Sequence, residues 1–169
     1  MFTPQQLAVV SFCADECVRQ RTGPEAVAWM VNAYQYANSV LRPLLAQGGK
    51  LEEEHILTLA AMIEPEANRN GFRICDVRFK GETVLDDVVL DNQQLIPNQI
   101  NGLLRVQDTA TPAEFYQEYE EIHPCKDGNG REGAILFNLL GGTLDNPVVP
   151  PHFHRGRANY RSSFGEVES

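Results

Sequence analysis

Residues 123–134 read HPCKDGNGREGA. A histidine opens the stretch, an acid stands four residues on, and Gly128, Asn129, Gly130 and Arg131 follow. His123 is a candidate general base, because an unperturbed imidazole titrates near neutrality. Asp127 is the kind of hard oxygen ligand that Mg²⁺ takes when a nucleotide fills its other positions. The Gly-Asn-Gly turn offers backbone N–H groups with little side chain in the way. An apolar run then begins (Ala134, Ile135, Leu136, Phe137, Leu139, Leu140) and reads as a buried helix. A glycine-rich turn feeding a helix N-terminus is an anion site, and Arg131 adds a cation to it. Base, metal ligand and phosphate cradle within nine residues are the equipment of a phosphate-handling enzyme.

Working outward from this stretch, helices follow one another. Thr3-Pro4 opens one that runs toward Gly23, with a capping residue and proline in the first turn. Pro24 opens a second, with Val27, Met30, Val31, Tyr34, Ala37 and Val40 at helical spacing, kinked near Pro43 and ended by Gly48-Gly49. The segment 50–63 repeats the pattern. From Phe72 the period shortens, and two β-rich runs around Gly81-Glu82 predict a short hairpin over 72–90. Helices resume near Pro97 and at Thr111-Pro112-Ala113-Glu114, a capping box. The motif helix ends at Gly141-Gly142, and a proline-rich connector (Pro147, Pro150, Pro151) leads to a last helix. The expectation is an all-α fold with one small hairpin, forming a single domain over residues 1–169.

A chain of 169 residues with 43% hydrophobic and 22% charged residues can bury a real core. Its net charge of −9 argues against nucleic acid as the main partner, since phosphate backbones demand a basic face. The basic clusters (Arg73, Arg78, Lys80; Arg155, Arg157, Arg161) are small. No stretch suits a membrane span and the N-terminus lacks a signal pattern, so no membrane role and a cytoplasmic site of synthesis are expected, with delivery into another cell left open. Cys13, Cys17, Cys75 and Cys125 show no metal-ligand spacing, and Cys13 and Cys17 read as buried free thiols.

Plainer readings compete at several positions. His123 could simply cap the helix before it, where a cation suits the dipole, and Asp127-Gly128 could be an ordinary turn. Neither accounts for the histidine, acid, glycines and arginine together. His152 and His154 read as surface loop, and His55, amid Glu52–Glu54, as a solvated side chain. The acidic run Glu114, Glu118, Glu120 and Glu121 reads as a solvated helix face.

The stretch 123–131 resembles the signature of the Fic (Fic/Doc) family, HPFx(D/E)GNGRxxR, in its His, Pro, Asp, Gly, Asn, Gly and Arg. Upstream, GFRICDVRFKG (71–81), Ile96-Pro97 and INGLL (100–104) resemble the family's flap hairpin and the helix after it. Pro112–Ile122 resembles the helix that delivers the histidine, and Arg157-x-x-Tyr160 the start of a closing helix. Three positions depart from the pattern. Cys125 replaces the anchoring Phe and Glu132 a usual Thr or Ser, adding charge near the cradle. Ala134 replaces the second Arg, which in the family pairs with the γ-phosphate of ATP. Ser162–Glu166 matches five positions of the family's inhibitory [S/T]xxxE[G/N] helix, but Val167 breaks the sixth, and a frayed acidic tail is the plainer reading.

The resemblance implies a Fic-like helical bundle with a flap, and a protein adenylyltransferase (AMPylating) activity. A nucleoside monophosphate would pass from ATP or another NTP to a hydroxyl side chain of a target protein. His123 would take the hydroxyl proton, and Asp127 would hold Mg²⁺. Gly128, Asn129, Gly130 and Arg131 would bind the nucleotide. The target would be held by strand addition at the 72–90 hairpin, and an inhibitory partner protein is a further expectation. One alternative is a Doc-like protein kinase. Those relatives also lack the second Arg, but carry Ala and Lys where this chain keeps both glycines. The other is a Fic-fold binding protein whose nucleotide site has decayed.

Overall fold

The computed structural model describes residues 1–76 and 89–151. Helix α1 (Pro4–Arg19) begins where the sequence places it. Thr3 accepts the Gln6 N–H at 3.1 Å, and Gln6 Oε1 accepts the Thr3 N–H at 2.8 Å. Helix α2 (Glu25–Tyr36) runs into a π-helical turn, Ala37–Leu41, and then α3 (Arg42–Ala46). Pro43 has no N–H to return to the turn before it, and the chain widens there: the Arg42 N–H reaches back to Ala37 O. Where a kink was expected near that proline, the chain makes a π-helical turn just before it. Helix α4 (Glu53–Ile63) is capped by a reciprocal pair, in which His55 Nδ1 accepts the Glu52 N–H at 2.9 Å. The expected solvated His55 is thus corrected: its side chain is 17% exposed and serves as a cap.

Helix α5 (Leu95–Arg105) follows, then α6 (Pro112–Ile122), opened by the Thr111–Glu114 capping box. Helix α7 (Asn129–Leu140) ends at Gly141-Gly142. The described residues are therefore mostly helical. They contain one isolated antiparallel bridge, Cys75 to Val89, beside a Leu90 N–H to Ile74 O bond of 2.8 Å. Most of the expected hairpin (77–88) and the expected last helix, with His152, His154, Arg157, Tyr160 and Ser162–Glu166, lie outside the described residues.

Helix α7 is central: it packs on α6, α4, α1 and the π-helical turn. Ala134, Ile135, Leu136 and Leu139 carry it into a core with Met30, Leu41, Leu59, Ile63, Ile100, Leu103, Phe115 and Tyr119. Burying each of the larger aliphatic groups contributes about 1.5–3 kcal/mol. Cys13 and Cys17 join this core as free thiols, as expected. The C-terminal end of α6 and the N-terminal end of α7 meet in a tight loop, residues 123–128. That loop is the motif. No helix among the described residues is long and apolar enough to cross a membrane.

Candidate active site

His123 terminates α6 in the left-handed region, φ 50° and ψ 61°, and its N–H still bonds Tyr119 O at 2.9 Å. A non-glycine residue there is strained. Arg73 holds it. The Arg73 guanidinium donates to His123 O at 2.6 Å, Ile122 O at 3.0 Å and Cys75 O at 2.8 Å, and the Arg73 N–H donates to Pro124 O at 2.9 Å. Carbonyls that the helix end leaves without partners are thereby satisfied, and the cation complements the negative end of the dipole. Burial and the Arg73 charge push the imidazole down to about 4, with Asp127 pulling the other way. His123 does cap the helix by position, but not as the cation expected of a cap. It is neutral at pH 7, the state a general base requires.

The turn after it is locked by Asn129. Its Oδ1 accepts the Cys125 N–H at 2.8 Å and its Nδ2 donates to Cys125 O at 2.9 Å. The Asn129 side chain, expected to cradle phosphate, thus holds the loop shut. What remains for an anion is backbone: the N–H groups of Asn129, Gly130 and Arg131 lie in the first turn of α7 and have no intrahelical acceptor. Gly128 precedes them at φ 80°, and a Cβ there would meet Ile63 Cγ2 at 2.5 Å. Both the backbone and the space require glycine. Asp127 keeps 65% of its side chain exposed, and its Oδ1 accepts the Gly128 N–H at 2.7 Å. Asn68, from the turn after α4, steadies the same place by donating to Asp127 O at 2.9 Å and Ala60 O at 3.0 Å.

Arg131 sits differently from the open phosphate cation that the sequence suggests. It is fully buried, and its Nη2 contacts Glu64 Oε1 at 2.5 Å and Asp127 Oδ1 at 3.8 Å. Its Nε and Nη1 are buried with no hydrogen-bond partner among the described residues. The Gln20 side chain packs against Gly130, where a Cβ would lie 2.7 Å from Gln20 Oε1, and Gln20 Nε2 donates to the buried Glu16 at 2.9 Å.

One expectation about the departing residues is corrected. Glu132 was expected to place negative charge near the cradle. It is instead 1% exposed, and burial pushes its carboxyl up to about 8, so it is mainly neutral at pH 7. Ala134 is 0% exposed inside the hydrophobic core, so an arginine there would have to enter the core rather than reach freely back to the cradle. Nor is the acidic run of α6 wholly a solvated face: Glu114 and Glu118 are exposed, but Glu120 is buried.

The structure therefore brings His123, Asp127 and the α7 N-terminus together, and adds Arg73, Glu64, Asn68 and Gln20. Of these four, the sequence reading noted only Arg73, as one member of a basic cluster. The others come from distant segments and no local pattern marks them. Among the described residues no group of three His, Cys, Asp or Glu side chains could hold a metal ion. Comparison of the chain with protein-family models and with curated proteins finds no match.

Proposed function

We propose that the protein is a nucleotidyltransferase of the Fic type, moving a nucleoside monophosphate from an NTP to a hydroxyl side chain of a target protein. The observation that carries the reading is a neutral His123, fixed in a strained conformation beside the free amides of a helix N-terminus and an exposed Asp127. His123 takes the proton from the attacking hydroxyl. The α7 amides orient the phosphates, and Gly128 and Gly130 let the turn pack closely against Ile63 and Gln20. Asp127 fits Mg²⁺, which keeps several waters and shares its site with substrate phosphates, and which would offset charge on the α- and β-phosphates. Arg131 adds positive potential from beneath the turn. Positioning and electrostatics supply most of the rate in such a site. The bridge between Cys75 and Val89 lies two residues from Arg73, so a target segment added at that edge would run beside the loop that carries His123.

The competing reading is a binding protein on the same scaffold. Arg131 paired to Glu64, and Gln20 packed over Gly130, favour it, because both partly close the cradle. A Doc-like kinase is the third reading. Incubating the protein with each NTP, labelled at the α or the γ position, separates them. The proposal expects α-label on protein, a kinase gives γ-label, and no label with any nucleotide supports the binding protein.

A further inference from the structure

Beneath the motif loop lies a buried polar cluster that the chemistry above does not use. The Cys125 thiol donates to Glu132 Oε2 at 3.4 Å and stands 3.8 Å from the Tyr119 hydroxyl. The Tyr119 hydroxyl also interacts with the Glu132 carboxyl. Glu120 is the fourth member, 5% exposed, with its Oε1 only 2.8 Å from where a Cβ on Gly133 would stand. Among the described residues, the groups facing Glu132 are Tyr119 and Glu120 from α6 and Cys125 from the loop. They are two weak acids and a second carboxyl. Glu132 Oε1 is buried with no hydrogen-bond partner among the described residues. A carboxyl in such a place is tolerable when protonated and costly when ionised. The two bonds that Asn129 makes to the Cys125 backbone extend the cluster straight into the loop.

We propose that Glu132 is a positioning residue whose neutral carboxyl holds the loop bearing His123 and Asp127 against α6 and α7, and whose ionisation releases that loop. This makes the motif sensitive to alkaline pH. Burial, the first cause, and the nearby Glu120 raise the carboxyl to about 8, while the interactions with Tyr119 and Cys125 oppose the rise. The unfolded chain loses this proton near the ordinary glutamate range, about 4.3. Between the two values the folded state holds one proton more. Stability therefore falls as pH rises through that window and levels off above about 8, where the folded protein has itself lost the proton and the loop is released. Cys125 and Tyr119 are both raised by the same burial, so neither supplies the transition near 8.

Hydrogen exchange at the Cys125 and Asp127 amides, compared between wild type and Glu132→Gln at matched pH, tests the latch. Glutamine keeps the shape and the acceptor but cannot ionise. The expected ratio is near one at pH 4, rises through the window and levels off above about 8, with wild type exchanging at least about tenfold faster at pH 8. Carbon NMR of the Glu132 carboxyl in unmodified protein gives a second reading, with a midpoint near 8 expected. A ratio that does not change with pH, or a midpoint below about 6, overturns the inference. The consequence for catalysis rests on the proposed function: α-label transfer should fall above pH 8 in wild type and hold in Glu132→Gln. The exchange and NMR measurements judge the latch by themselves, and an absence of transfer at every pH counts against the proposed function alone.

Discussion

His123 has its acid–base character set by neighbours far away in sequence, Arg73 above all. Arg73→Ala removes three charge-assisted bonds, two to carbonyls at the α6 terminus and one to Cys75 O, and should cost about 2–3 kcal/mol, given that such bonds share one anchor and do not add. Urea denaturation measures the loss. The same variant removes a cation that depresses the imidazole, so NMR titration should show the His123 midpoint rising from about 4 toward the ordinary range. In wild type the depressed value also sets a sign for stability. An unfolded histidine takes its proton near 6.5, and the folded one resists until about 4. The folded state binds fewer protons in between, so stability from this residue is intact above 6.5 and is lost as pH falls toward 4. Replacing His123 with glutamine should flatten that part of the acid unfolding profile, followed by circular dichroism.

At the scale of elements, the junction of α4 with α7 depends on one buried ion pair. Glu64→Ala leaves the Arg131 guanidinium enclosed without its carboxylate and should cost about 3–5 kcal/mol, again read from urea unfolding. Ala134→Arg places a charge and six extra heavy atoms into the core face of α7. It should destabilise by more than about 3 kcal/mol and give no gain in ATP affinity by calorimetry. The starts of α1 and α6 were legible in the sequence because capping is local chemistry: Thr3-Pro4 and Thr111-Pro112 each sit three residues before a side chain that completes the cap. The π-helical turn before Pro43 was legible as a kink for the same reason, since a proline announces its own missing donor. The burial of Glu132 was not legible. An acid in the first turn of a helix reads as exposed and favourable to the dipole. Only the close approach of α6 across Gly133 encloses it. Glu64, Asn68 and Arg73 were hidden likewise, because contacts 49–67 residues apart leave no periodic trace.

For the molecule as a whole, helices α1, α4 and α6 converge on the N-terminal end of α7, and the segment 73–75 closes the fourth side. That convergence encloses the short loop 123–128 and leaves little space at the N-terminal end of α7. The central claim is that this loop transfers a nucleoside monophosphate with His123 as the base. The most direct measurement incubates wild type and His123→Ala with α-labelled and γ-labelled NTPs, Mg²⁺ and candidate hydroxyl-bearing protein, including the protein itself. The account predicts α-label on protein for wild type and a fall of at least about 10²-fold in the folded His123→Ala variant. Equal α-label incorporation by the two proteins, or incorporation of γ-label alone, contradicts it.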